Sequence, residues 1–309
     1  MTHLPVMTEE VIDGLEIKAD GIYIDGTFGR GGHSSRILER LNASGFLLAF
    51  DRDLAALQSD RALALCSDER FVLEHGCFST IQAVAERRGW SGAVDGVLLD
   101  LGVSSPQLDD PGRGFSFSKD GPLDMRMNAE AGVSAAQWIA RTDEKEIARV
   151  LYEYGEERFS RRIAAAIVKD RVNEPFLTTL QLAGMIARVV PAREKNKHPA
   201  TRSFQAIRIE INQELKELRA VLAQAIEVLR PGGRLVVIAF HSLEDRIVKR
   251  LIRDESRGKY QSGRYPIMEQ EDKRLRLKRI GKAMRASTVE VERNIRARSA
   301  VLRVAERIE

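Results

Sequence analysis

Cysteine is nearly absent from this sequence: Cys66 and Cys77 are the only two in 309 residues. Two thiols cannot build a disulfide framework or a standard zinc site. Long apolar runs are missing too. The longest, such as "LVVIAF" at 235–240, suit buried strands and fall well short of a membrane span. The opening "MTHLPVMTEE" has neither the basic start nor the apolar core of an export signal. A cytoplasmic location with no membrane partner is the expectation. No internal repeat and no metal constellation is visible.

What is present is the composition of an ordinary globular protein, 43% apolar and 30% charged. The charge is unevenly placed. From His241 to Glu309 there are 19 Lys/Arg against 11 Asp/Glu, in a chain whose net charge is only +4. Such asymmetry suits a polyanionic partner, and equally a solvated helical surface.

Short apolar runs alternate with helical patterns over the first third. Strands are expected at 21–26, 45–51, 70–76 and 94–102, with helices near 33–42, 53–66 and 79–89. This is the signature of β/α units around a parallel sheet. Residues 103–127 are rich in Gly, Pro, Ser and Asp and predict a structured loop. From about Ala135 to Val190 only helices are expected, near 143–153, 156–172 and 179–189. Thr142, Asp143 and Glu144 make a helix start, and Thr178 or Thr179 a cap. A basic loop (191–202) then leads into a long helical pattern at 203–230. Pro231-Gly232-Gly233 reads as a stop and turn, Leu235 to Phe240 as a buried strand, and Ser242 to Ile252 as a helix. The string "KRLRLKRIGKAMR" (273–285) is a basic tail with seven cations in thirteen residues, and Val301 to Val304 alternate as a final strand. The implied architecture is an α/β domain formed by 1–107 and 200–309, interrupted by a helical insertion at 108–199.

The chemistry-bearing residues gather at strand ends. "YIDGTFGRGGHSSRIL" (23–38) places Gly26, Gly29, Gly31 and Gly32 between a strand and a helix, where a missing Cβ admits a ligand close to the backbone. The same loop also reads as a tight structural turn. Asp51 ends the second strand, where an acid can accept ribose hydroxyls; a helix cap is the alternative, with Asp53 an equal candidate. Phe78 follows the third strand, facing an adenine or buried in the core. Asp100 ends the fourth. A dinucleotide and S-adenosylmethionine both fit such a series. Asp25 beside the loop favours the second, because a carboxylate suits a cationic sulfonium and amine better than a pyrophosphate.

Several strings resemble the MraW/RsmH family of bacterial ribosomal RNA methyltransferases: "YIDGTFGRGGHS", "LLDLGVSSPQLDDPGRGFSF", "GPLDMRM", "KHPATRSFQAIRIEIN", "FHSLEDRIVKR" and "RARSAVLRVAER". The resemblance spans essentially the whole chain. It implies a Rossmann-like, S-adenosyl-L-methionine-dependent methyltransferase with an inserted helical domain. The implied reaction is methylation of a cytidine N4 in small-subunit (16S) rRNA at the decoding centre. The partner is that rRNA, within the small subunit or an assembly intermediate. Carried onto this sequence, the cofactor contacts are Gly31, Gly32, His33, Asp51, Phe78, Asp100 and Gln107. Ile295 departs from an expected proline. The Asp/Asn-Pro-Pro-aromatic string of many amino-group methyltransferases is replaced by "DLGVSSPQ".

A hydrogen-bond acceptor for N4 is sought in Asp100 or a carbonyl within 101–105, although Asp100 also suits a purely cofactor-positioning role. His241 and Ser242 are further candidates near the base, Ser242 equally as a helix cap. Phe115 and Phe117 are placed under a flipped base or, alternatively, pinning their loop to the core. Arg193, Lys195, Lys197, His198, Arg202 and the 273–285 tail are candidate phosphate contacts. Two other readings remain open at this stage: a non-catalytic ribosome-assembly factor that uses the cofactor for stability, and a small-molecule dehydrogenase.

Overall fold

The computed structural model describes residues 5–191, 198–257 and 275–309. Arg193, Lys195 and Lys197 lie outside the described residues. The chain divides into two compact units, Met1–Gly102 with Leu215–Glu309, and Val103–Glu214. The helix Thr201–Asn212 therefore belongs to the second unit.

The first unit is built on seven strands: β1 (Ile22–Asp25), β2 (Phe46–Asp51), β3 (Phe71–His75), β4 (Val94–Asp100), β5 (Leu229–Ala239), β6 (Leu277–Arg285) and β7 (Val301–Arg307). Their order is β3-β2-β1-β4-β5-β7-β6. The first five are parallel, while β7 runs antiparallel to both β5 and β6.

The apolar runs become strands because both faces of this sheet are covered. The two-residue period sends neighbours to opposite sides. Ile24, Leu48, Leu99 and Val237 join one core cluster with Leu218, Leu222 and Val248 from helices. Tyr23, Leu47, Leu98 and Val236 join the other, with Val11 and Leu15 of the helix Thr8–Leu15. Full burial of each such side chain contributes about 1.5–3 kcal/mol. The helix Thr8–Leu15 is an element beyond those expected from the sequence. It is held by close packing: a Cβ on Gly14 would stand 3.0 Å from Val304.

Two punctuation signals behave differently from their local reading. Pro231-Gly232-Gly233 does not stop the chain before a strand but lies inside β5. Val94 pairs with Leu229 and Gly96 with Arg234, so the extra residues bulge out of the ladder, with Gly232 at φ +80°. The basic tail, from Leu277 onward, is edge strand β6 rather than a free segment. Residues 273 and 274 lie outside the described residues. The long helical pattern at 203–230 is likewise two helices, Thr201–Asn212 and Glu214–Val228, separated by Gln213 in a left-handed conformation (φ +52°).

The second unit is helical. Ala135–Arg141, Glu144–Gly155, Ser160–Asp170, Thr179–Val189 and Thr201–Asn212 enclose a core that includes Ile139, Leu151, Ile167, Ile186 and Ile207. Asp143 caps the second of these, accepting the Glu146 N–H at 2.8 Å. Thr142 instead closes the preceding helix through its hydroxyl to the Trp138 carbonyl, at 2.7 Å. Thr178 starts the fourth in a capping box with Gln181. Among the described residues, no helix is long and apolar enough to cross a membrane.

Candidate functional site

The candidate site lies along the carboxyl ends of the parallel strands, where the glycine loop leaves β1. The loop is stitched to its neighbours by its own main chain. Gly26 N–H donates to the Leu98 carbonyl at 2.9 Å and Phe28 N–H to the Phe50 carbonyl at 2.8 Å. Two glycines are required by the protein's own packing. A Cβ on Gly26 would stand 2.6 Å from Leu99, and one on Gly31 would stand 2.7 Å from the Phe28 ring. Gly31 also holds φ +70°, a conformation that side chains resist. The result is a loop of bare main chain over the strand ends.

Asp25 sits beneath this loop, 1% exposed. One carboxylate oxygen accepts the Thr27 N–H at 3.0 Å, the other the Ser34 hydroxyl at 2.7 Å. Burial raises its pKa above the ordinary carboxylate value, against the pull of Ser34, His33 and the Thr27 N–H. Both of its oxygens are thus engaged by the loop itself. Thr27 extends the link: its hydroxyl accepts the Asp100 N–H at 2.7 Å. Ser34 is fully buried. Neither Thr27 nor Ser34 stands out in the sequence, since small hydroxyl residues in a glycine-rich string read as turn formers.

Asp51, at the end of β2, accepts two main-chain N–H groups: Gly29 at 2.7 Å and Asp53 at 2.8 Å. Burial lifts its pKa to about 6, with the two N–H donors opposing that rise. Asp53 fills the cap role, accepting the Ala55 N–H at 3.1 Å. Gly32 opens the helix Gly32–Leu38, and His33 follows it, 5% exposed. His33 Nε2 lies 3.5 Å from Asp100 Oδ2. Burial pulls the imidazole pKa down, but the nearby Asp100 carboxylate and the charge of Asp25 prevail, so the net shift is upward. Both ring nitrogens of His33 and Asp100 Oδ1 are buried atoms without a hydrogen-bond partner among the described residues, the His33–Asp100 approach being an ionic contact. Buried polar atoms left in this state are costly, and a polar ligand would relieve that cost. Phe78 is half-buried just after β3 and approaches Gly26: a Cβ there would stand 3.2 Å from it.

On the other flank, Asp100 pairs in register with Ile238, so Phe240 and His241 project past its level at the same sheet edge. His241 Nε2 stands 3.1 Å from Glu244 Oε1. Glu244 Oε2 accepts the Phe240 N–H at 2.9 Å and the His241 N–H at 3.3 Å. Glu244 is 2% exposed. It thereby anchors the main chain at Phe240 and His241, which is invisible in a string that reads as an acidic first helical turn. Ser242 is exposed at the start of the helix Ser242–Arg257.

The remaining candidates belong to the second unit. Gln107 is buried and accepts the Ser104 N–H at 2.9 Å within a capping box. Phe115 is part of the helical core, with the Arg113 guanidinium 5.7 Å from its ring centre. Phe117 is half-buried between Phe204 and His198, each with its ring centre 4.7 Å away. His198 is exposed, and Arg202 donates to the Glu156 carbonyl at 3.2 Å.

A parallel sheet with one reversed strand next to the last, a glycine loop after β1 and acids closing β2 and β4 define a Rossmann-like methyltransferase. The six-stranded dinucleotide fold, in order 3-2-1-4-5-6, has no such reversed strand. The chain belongs to the MraW methylase family, whose family model matches residues 1–308. A relative from Thioalkalivibrio sulfidiphilus is 56% identical over 306 residues, covering 99% of this chain and 97% of that protein. One from Pseudoalteromonas atlantica is 54% identical over 308 residues, covering 99% and 98%. Both carry the name ribosomal RNA small subunit methyltransferase H. A solved structure of an rRNA methylase from Streptococcus thermophilus aligns over 100% of this chain and 99% of its own, at 11% identity and a TM-score of 0.43.

Proposed function

We propose that this protein transfers a methyl group from S-adenosyl-L-methionine to the exocyclic N4 of a cytidine in small-subunit (16S) rRNA, at the decoding centre and in the cytoplasm. Family membership and the names of the relatives support the rRNA substrate. The observation that carries the site assignment is the pairing of buried His33 with half-buried Asp100, each with an unsatisfied polar atom beside the glycine loop. That donor and acceptor set fits a ligand bearing an amine and a carboxylate.

S-adenosylmethionine supplies an electrophilic methyl group on a sulfonium sulfur. The residues of this chain bind, align and exclude water. In this reading the Gly31-Gly32-His33 backbone borders the amino-acid end. Asp51, already held by two N–H groups, retains lone pairs for the ribose hydroxyls. Phe78 lies against the adenine. Asp25 contributes indirectly, by fixing Thr27 and Ser34.

The cytosine amine is a weak nucleophile, because its lone pair is delocalised into the ring. Holding it in line with the methyl group can supply roughly 7–11 kcal/mol of the barrier. An acceptor at an N4 hydrogen favours pyramidalisation, and the resulting ammonium loses its proton readily to water. Asp100 Oδ1 offers that acceptor, or else holds the cofactor amine. Asp100→Asn separates the two roles: lost cofactor affinity assigns it to the cofactor, whereas retained affinity with lost turnover assigns it to the base. The base must leave its stack at a cost of roughly a few kcal/mol. Phe117, His198, Arg202, His241 and Ser242 are the proposed RNA-facing groups, with Phe115 supporting the loop from the core.

The test uses S-adenosylmethionine labelled in its methyl group and small subunits lacking the modification. The expected product after nucleoside digestion is labelled N4-methylcytidine. Label recovered at a ring carbon or a ribose would reject the N4 assignment.

A further inference from the structure

The basic string near the C-terminus acquires a shape that its sequence does not suggest. Edge strand β6 faces the helix Ser242–Arg257 across a groove of about 170 Å³ within the first unit. Lys249, Arg253 and Arg257 enter it from the helix, Arg279 and Lys282 from the strand, and all five are exposed. Among the described residues, no carboxylate lines it. Of the acids nearby, Asp254 pairs with the groove cation Arg253 at 2.7 Å and Asp245 with Arg303, which also lines the groove, at 2.6 Å, while Glu255 takes Arg276 at 2.9 Å; Lys249, Arg257, Arg279 and Lys282 carry the open positive charge.

Cations on an edge strand are a common device against sheet-to-sheet pairing. That device accounts for Arg279 and Lys282 but not for a second row of cations facing them from a helix. Like charges facing one another across a groove repel, weakly where water screens them, and an anion lying between them turns that repulsion into attraction. The floor of the groove is open. Ile280 pairs with Val304 and Met284 with Leu302, so the residues between bulge from the ladder. Gly281 holds φ +62° there, with nothing within 4 Å of where a Cβ would stand. Bare main chain flanked by two rows of cations is suited to phosphates spaced along a strand.

We propose that this groove binds the phosphodiester backbone of the RNA substrate, away from the methyl-transfer site. The inference rests on the RNA reading above and adds a surface to it. Phosphate contact makes binding salt-dependent, and each cation removed is expected to lower the slope of log affinity against log salt by about one.

The experiment compares the full-length wild type with Lys249→Gln/Arg253→Gln, Arg279→Gln/Lys282→Gln and the combined quadruple variant. Arg40→Gln/Arg87→Gln, which removes two exposed cations elsewhere in this unit, serves as control. Binding to a 16S rRNA fragment is measured across a salt series, alongside melting temperature and calorimetric affinity for S-adenosylmethionine. Each groove pair should weaken RNA binding, with a slope reduced by about two, leaving melting and cofactor affinity as in the wild type. A quadruple variant with the wild-type slope overturns the proposal, as does an equal loss in the control pair. Binding of the groove to anionic vesicles instead of RNA also overturns it. If the wild type methylates rRNA while the groove variants bind normally, only the groove inference fails. If the wild type neither binds nor methylates rRNA, the functional reading fails with it.

Discussion

His33 Nε2 and Asp100 Oδ2 stand 3.5 Å apart, joining the first helical turn after the glycine loop to the end of β4. The pair couples a group whose charge depends on pH to the acid that ends β4. The raised His33 pKa means that the fold favours the imidazolium. Its contribution to stability is full below the unfolded value of 6.5 and is lost as pH rises through the folded value. In Asp100→Asn the attraction disappears and burial prevails, so the His33 pKa should fall. NMR titration of the ring protons checks the direction. The stability gap between wild type and variant should narrow as the pH is raised.

Asp51 has the opposite chemistry. Its carboxyl is raised from 3.8 to about 6 in the folded protein, so its contribution to the ligand-free fold is full below 3.8 and lost as pH rises through about 6. Ribose hydroxyls would favour the ionised form and pull that value down. Binding of S-adenosylmethionine near pH 6 should therefore release protons, seen by calorimetry in buffers with different ionisation heats. Asp51→Asn should abolish the release and weaken binding by about 10- to 100-fold, the range for losing hydrogen bonds to a charged acceptor. Identical proton release in the variant would assign the titration to another group.

Gly29 and Gly31 both have positive φ, yet substitution should affect them unequally. At Gly29 (φ +56°) the nearest atom to an added Cβ is the Thr27 carbonyl at 3.9 Å. Gly29→Ala should cost only backbone strain, about 1–2 kcal/mol. At Gly31 the Phe28 ring lies 2.7 Å away, so Gly31→Ala adds a clash to the same strain and should cost more. Urea unfolding curves decide the order, and a Gly29 variant as damaged as the Gly31 one contradicts it.

Phe115 and Phe117 are two residues apart but differ in burial. Phe115→Ala should destabilise the helical unit by about 3–5 kcal/mol, as for a large-to-small change in a packed core. Phe117→Ala, at a half-buried position, should cost less. Its effect should appear instead in methyl transfer to rRNA, with cofactor affinity retained. Equal thermal destabilisation of the two variants would remove Phe117 from the proposed RNA contacts.

The strand ends were legible because parallel strands buried on both faces are continuous apolar runs, and each run here closes on an acid or a glycine. Asp51 and Asp100 could thus be located without a structure. The role of Asp25 could not, since a carboxylate beside a loop looks the same in sequence whether it faces a ligand or is consumed by Ser34 and Thr27. Glu244 was hidden for a related reason: its partners are main-chain N–H groups, which every residue possesses.

The sequence by itself determined the alternation of strands and helices, the acids and glycines at their junctions, and the helical character of the insertion. These follow from hydrophobic period and local backbone preference, which act over a few residues. Only the tertiary structure decided that Pro231-Gly232-Gly233 bulges within β5, that 277–285 is an edge strand, and that His33 meets Asp100. Each of these depends on pairing between segments distant in the chain. The energy that fixes such pairing is shared burial and hydrogen bonding, and neither partner's local sequence encodes it alone.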